Sequence, residues 1–344
     1  MVCSGLGGIA TSRSSLDEVA MTATLSDLDP SWLYMTTATL PAEDGEAEVR
    51  DMLSIGELWR YPVKSMLGER VETVSIEESG VTGDRAYALL DVASGLIVSA
   101  KRPAHFGRML DWRATTVGEG DGSPRVTVTL PDGSAVAIDD PEAAPLFSAV
   151  LGREVRVVST APDGALYGMT FPDIEGAAPM EFAEMTEVEV RDPEGPVSGI
   201  AVGLFAPGTF QDVSPLHVVA ASTLAALDRS EPSTAWDVRR FRPNIVIAGE
   251  TSDPFVENSW MSCEVAIGDE VVVQLGPSTP RCVMTTLPQQ GLPRDLGVLR
   301  TLARENRQEI PEYGQWACLG TYASVLRGGT VRTGDRVEIG APVT

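Results

Sequence analysis

The chain is punctuated too often to fold as a helical bundle. From Leu53 onward, short apolar runs recur, each closed by Gly, Pro or Asp, in a chain that carries 33 glycines and 24 prolines in all. Such spacing favours turns and short strands. LSIGELWRYPV, ERVETVSI, RAYALLD, GLIVSA and RVTVTL read as strands between residues 53 and 160, with PDG at 131–133 as a hairpin turn. PEAAPLFSAVL at 141–151 reads as a short helix before the strand EVRVVS. Residues 161–210 are rich in Gly, Pro and acids and read as a long irregular connection.

Beyond it, LHVVA, NIVIA, CEVAIG, EVVVQL and CVMTTL read as strands, and TYASVL and RVEIG as strands around a GGT turn. STLAALDR, with Ser222 as N-cap, and DLGVLRTLARE read as helices. Strands and helices do not alternate regularly, which disfavours a doubly wound parallel sheet. The fold class expected is mainly β with some α. Residues 1–51 differ: they are small, polar and acidic, and read as a weakly ordered extension with a short docked helix around Asp27–Tyr34. The boundaries expected are 1–51, 52–165 and 166–344.

Charge excludes some functions. A formal net charge of −23 is the opposite of what phosphate backbones require, so nucleic-acid binding is not expected. No apolar run is long enough to span a bilayer and no secretory signal is visible, so no membrane partner is expected. Cys3, Cys263, Cys282 and Cys318 form no CxxC pair, which fits a reducing, cytoplasmic location. Two histidines, His105 and His217, cannot build a three-histidine metal site. Glycine-rich nucleotide loops and the serine-hydrolase elbow are missing.

A scattered set of basic and small polar residues remains. PVKS carries Lys64 and Ser65, GDR carries Arg85, RRFRPN carries Arg239, Arg240, Arg242 and Asn244, and PRC places Arg281 beside Cys282. Guanidinium groups bind phosphate through paired hydrogen bonds. Three arginines within four residues of so acidic a chain fit a built anion site, and equally fit salt bridges to surplus carboxylates. Cys282 follows a Pro-bounded loop, and Arg281 beside it favours the thiolate. Taken singly, such a cysteine is more often a small buried apolar residue.

In order and spacing these segments resemble the MOSC-domain family, in its form with an N-terminal MOSC β-barrel unit. The stretches are IGELWRYPVKSM (55–66), GDRAYALLD (83–91), FQDVSPLHVVAASTLAAL (210–227), RRFRPNIVIAG (239–249), RCVMTTLP (281–288) and GTVRTGDRVEI (329–339). The resemblance implies two packed β-barrel domains and, as in the mitochondrial amidoxime-reducing component, a molybdenum cofactor (Mo-molybdopterin) held by Cys282. It assigns Lys64, Ser65, Arg85, Ser214, Arg242, Asn244 and Arg281 to the cofactor, with Arg239 and Arg240 read as salt-bridged. Pyridoxal phosphate is not expected. Val213 and Pro280 depart from the small polar residues usual there. The activity implied is reduction of small N-hydroxylated (N–OH) substrates by oxygen transfer to molybdenum. Since the chain ends at Thr344 without a ferredoxin domain, electrons are expected from separate donor proteins. The family also includes sulfur-transfer proteins, in which Cys282 would carry a persulfide, and the third alternative is a cofactor carrier without turnover.

Overall fold

A computed structural model describes residues 53–118, 125–203, 208–249, 251, 254–310 and 313–342. The expected N-terminal extension, with its helix, lies outside these residues. The described chain is mainly β, with 39% strand and 20% helix.

The largest sheet runs Glu69–Val71, Ser54–Arg60, Ile245–Ala248, Leu216–Ala220, Gly314–Arg327, Val271–Pro280, Cys263–Ile267, Val337–Pro342, with Arg307–Ile310 paired to Gly314–Arg327. Every pairing in it is antiparallel except Leu216–Ala220 with Ile245–Ala248. That parallel pair needs a crossover, and the helix Ala221–Ser230 lies within it. Alternation decides which face is buried: in Cys263–Ile267 the side chains of Val265 and Ile267 point inward while Glu264 points out. Each such burial contributes on the order of 2 kcal/mol. With Ile55, Leu58, Val218, Ile245, Val273 and Leu275 they form one core.

A second core lies in the N-terminal half, where Trp112 stacks at 5.2 Å on Phe147 of the helix Ala143–Leu151. The hairpin at 131–133 forms as expected, with Leu130 N–H bonded to Ser134 O at 2.8 Å. The two halves share strands. Ser54–Arg60 lies between Glu69–Val71 and Ile245–Ala248, and Thr73–Glu77 pairs with Gly329–Arg332. No sheet among the described residues closes into a barrel.

Other expectations are corrected. The connection 161–210 holds a three-stranded sheet, Leu166–Met169, Val197–Ala201 and Glu187–Val188, plus the helix Met180–Met185. These strands are too short, and pair across too long a span, to show as period-two runs. GLIVSA forms only isolated bridges through Ile97. CVMTTL is not a strand: the strand precedes it, as Val271–Pro280, and Val283–Thr286 is a 3-10 turn with Cys282 at its N-cap. Ser222 sits inside its helix, whose N-cap is Ala220, and its Oγ accepts from Thr251. Gly329 opens a strand instead of a turn.

Candidate functional site

All eight residues assigned by resemblance, Lys64, Ser65, Arg85, Ser214, Arg242, Asn244, Arg281 and Cys282, line one cleft. It encloses about 1540 Å³ of empty space, its open mouth included. Arg239 lies outside, bound to Asp237 at 2.7 Å. Arg240 is fully buried, and the expected salt bridge is replaced by hydrogen bonds to the carbonyls of Ala235, Thr285, Leu287 and Pro293. It thereby ties the turn carrying Cys282 to the segment before Arg242.

Three of these residues hold a conformation that L-residues avoid. Ser65 (φ 65°), Arg85 (φ 47°) and Arg242 (φ 56°) are left-handed, out of five non-glycine residues with positive φ among those described. Each costs on the order of 1–2 kcal/mol. The backbone around them is pinned: Arg85 N–H donates to Tyr61 O at 2.8 Å, Phe210 N–H to Arg85 O at 2.9 Å, and Arg242 N–H to Val238 O at 3.2 Å. The two arginine side chains converge on one ring. The guanidinium carbons of Arg85 and Arg242 lie 4.5 and 4.3 Å from the centroid of Tyr61. Arg242 also donates to Met66 O at 2.5 Å, and Arg85 pairs with Asp84. Burial, then the nearby Arg85 charge, lowers Arg242 to about 10.

Several site residues do structural work. Asn244 Oδ1 accepts from His217 N–H at 3.3 Å and its Nδ2 donates to Trp59 O at 3.4 Å, clamping neighbouring strands. Ser214 Oγ donates to Ala323 O at 2.8 Å, and Ser65 Oγ accepts from Ala100 N–H at 3.0 Å.

The strongest electrostatic feature was missed by sequence reasoning. Asp212 binds both Lys64 and Lys101, the latter at 2.7 Å. Both ammonium groups lie 4.4 Å from the ring centroid of Tyr167, whose hydroxyl is 3.2 Å from Lys101 Nζ. These are the only two lysines in the chain. That scarcity was legible in the composition and is the signal that marks Lys101. Burial disfavours the Asp212 carboxylate, but Lys101 and Lys64 outweigh it and hold it far below the usual range. Burial lowers Lys64 to about 8; Lys101 is also opposed by burial, yet Asp212 raises it well above its ordinary value.

A lysine-labelled sample therefore tests the pair directly. Of two ε-carbon NMR signals, one is expected to titrate near pH 8 and the other only above about 10.5. Because Lys64 binds its proton more weakly when folded, the unfolded chain holds more protons between about pH 8 and 10.5. Stability from this group rises with pH across that window. Two signals titrating together above pH 10 would remove the buried pair.

Arg281 is fixed beside Cys282. Its Nη2 donates to Phe241 O at 2.7 Å, Nη1 lies 3.4 Å from His217 Nε2, and Nε is buried with no hydrogen-bond partner. Burial, aided by Arg281, holds His217 well below the usual histidine range and therefore neutral. The strand opposite bends at Gly320 (φ 77°), where a Cβ would sit 2.4 Å from His217 Nε2. Cys282 itself is a free, half-buried thiol packed between two apolar clusters. Cys263 and Cys318 are buried, and burial pushes Cys318 up to about 12. No group of three His, Cys, Asp or Glu side chains among the described residues could hold a metal by itself.

A MOSC N-terminal beta barrel domain matches residues 52–154 and a MOSC domain matches residues 207–338. The chain is a MOSC-domain protein. It is 25% identical over 295 residues to mitochondrial amidoxime-reducing component 1 of Mus musculus, covering 83% of this chain and 82% of that protein. The Homo sapiens counterpart is 26% identical over 298 residues, with the same coverage. Mitochondrial amidoxime reducing component 2 of Homo sapiens is 31% identical over 132 residues, 37% of this chain and 38% of that protein. Among solved structures, the YUAD protein from Bacillus subtilis has a TM-score of 0.38 at 10% identity, covering 84% of this chain and 97% of that one. YiiM from Escherichia coli has a TM-score of 0.28 at 16% identity, over 38% and 56%. No helix among the described residues of the MOSC protein is long and apolar enough to cross a membrane.

Proposed function

We propose that this MOSC protein binds a molybdenum–pterin cofactor through Cys282 and reduces N-hydroxylated compounds. The observation that carries the reading is the pairing of a free thiol with surplus positive charge. Six cations, Lys64, Arg85, Lys101, Arg240, Arg242 and Arg281, line the cleft against one lining carboxylate, Asp212, with Asp84 paired to Arg85, inside a chain of net charge −23. Buried cations without matching anions are costly, and a phosphate-bearing ligand would complete them. The unpartnered Arg281 Nε and the equally unpartnered, buried Thr279 Oγ1 on the cleft wall fit the same ligand.

In this arrangement Cys282 offers the soft sulfur that molybdenum favours. Lys64, Arg85 and Arg242 would hold the phosphate, and the left-handed backbone at Ser65, Arg85 and Arg242 sets the direction of those side chains in advance. Arg281 lies against the ligand side of Cys282, steadied by Phe241 and His217. Ser214 and Asn244 shape the wall through backbone bonds. When bound, the cofactor supplies the two-electron chemistry that turns N–OH into N–H and water, and separate donor proteins supply the electrons.

The test is metal analysis and turnover of the full chain made in a host that produces the cofactor. The expected result is about one molybdenum per chain and amidoxime reduction with an artificial electron donor. Sulfane sulfur on Cys282 without molybdenum, or bound cofactor with no turnover, would overturn the reading.

A further inference from the structure

The cleft has an apolar end that the cofactor reading leaves unused. Phe182, on the helix Met180–Met185, meets Trp316 at 5.1 Å and 78°, Tyr313 at 5.7 Å and 75°, and Phe171 at 6.3 Å and 84°. All three contacts are edge-on, the geometry that aromatic quadrupoles favour. Phe182, Tyr313 and Trp316 line the cleft together with Ile310 and Met169. The indole Nε1 of Trp316 is spent on Tyr313 O at 2.9 Å. Phe182 packs against two clusters: the aromatic one, and the one against which Cys282 also packs. The box is thus continuous with the thiol.

The helix carrying Phe182 exposes two further apolar side chains: Met180 and Met185, each 65% exposed, are two of five exposed large apolar residues among those described.

We propose that the Phe182–Tyr313–Trp316 box selects substrates by an aromatic ring attached to the N–OH group. This rests on the function proposed above and names the substrate class. A ring seated against Phe182 adds a further aromatic contact to a set already arranged edge-on, while a small aliphatic substrate leaves the box unfilled.

Equilibrium binding to the cofactor-loaded full chain, without an electron donor, separates this from turnover. Calorimetry with benzamidoxime and acetamidoxime is the measurement. Benzamidoxime is expected to bind at least about tenfold more tightly than acetamidoxime. Phe182→Leu keeps apolar volume but removes the ring, and is expected to collapse that preference by weakening benzamidoxime alone, with a lower melting temperature from the lost aromatic contacts. Equal affinities in the unmodified chain, or an unchanged ratio in a folded Phe182→Leu chain, would overturn the proposal. If the ratio holds and no N–OH reduction is seen, the function falls and the subsite stands. If reduction occurs without the ratio, the subsite falls alone.

Discussion

Cys282→Ala is expected to abolish N–OH reduction and to strip most of the molybdenum, while the chain stays folded. The structural cost is small. The thiol is half-buried at the edge of two apolar clusters, so truncation removes little packed surface and should cost under about 1 kcal/mol. The chemical cost is large, because among the described residues no second thiol opens on the cleft to replace it. Cys318 pairs across the strand with Pro280 but is buried, and Cys263 is buried on another strand. Cys318→Ser and Cys263→Ser are the controls and should retain the metal. Cys282→Ser should lose it as alanine does, since a hydroxyl is a hard donor at a position suited to soft sulfur. Metal analysis, turnover and melting temperature on all four variants decide the matter. Undiminished molybdenum in Cys282→Ala would overturn the ligand assignment.

Asp212→Ala is expected to destabilise the cofactor-free chain by about 2–3 kcal/mol. Lys64 and Lys101 are 5% and 9% exposed, and Asp212 is their shared counter-charge. Removing one member of a buried ion pair typically costs 3–5 kcal/mol, reduced here because 35% of the Asp212 side chain is open to the cleft. What remains for the lysines is Phe210 O at 2.9 Å from Lys64, with the hydroxyl and ring of Tyr167. The pH dependence has a definite sign. The Asp212 carboxyl is depressed in the folded state, so its contribution is complete above the ordinary carboxylate range and is lost as pH falls below about 4. Urea midpoints should show that loss in the parent chain and a flatter acid limb in the variant. Added phosphate should raise the variant's melting temperature more than the parent's, since an anion replaces the missing carboxylate. An Asp212→Ala chain as stable as its parent would mean that the lysines need no counter-ion.

Legibility followed the range of the interactions. Strands with clear alternation, such as Cys263–Ile267, and a two-ended turn such as 131–133 are local and were readable. The short strands between 161 and 210 were not, because their partners lie across a long loop. The residues that the resemblance assigns to the cofactor came from their order and spacing, and the cleft gathers all eight. Lys101, Asp212 and Tyr167 escaped because no spacing rule links 101, 167 and 212. Left-handed backbone at Ser65, Arg85 and Arg242 escaped as well, since only glycine advertises that conformation in a sequence. Asp212 stood inside a recognised stretch, FQDVSPLHVV, beside the serine that was chosen. Its importance comes from two lysines that fold onto it.

The shared sheet also sets a timetable for synthesis. Leu58 reaches its place only when Ile245 has emerged, and Ser54 bridges to Arg336 almost at the chain's end. Lys64 leaves the ribosome early, yet the wall opposite it is built from the last third of the chain. Until then the strand Ser54–Arg60 offers an unpaired edge and an exposed apolar face. Such a sheet is completed late, and the strands Ser54–Arg60 and Thr73–Glu77 depend on shielding until their distant partners arrive.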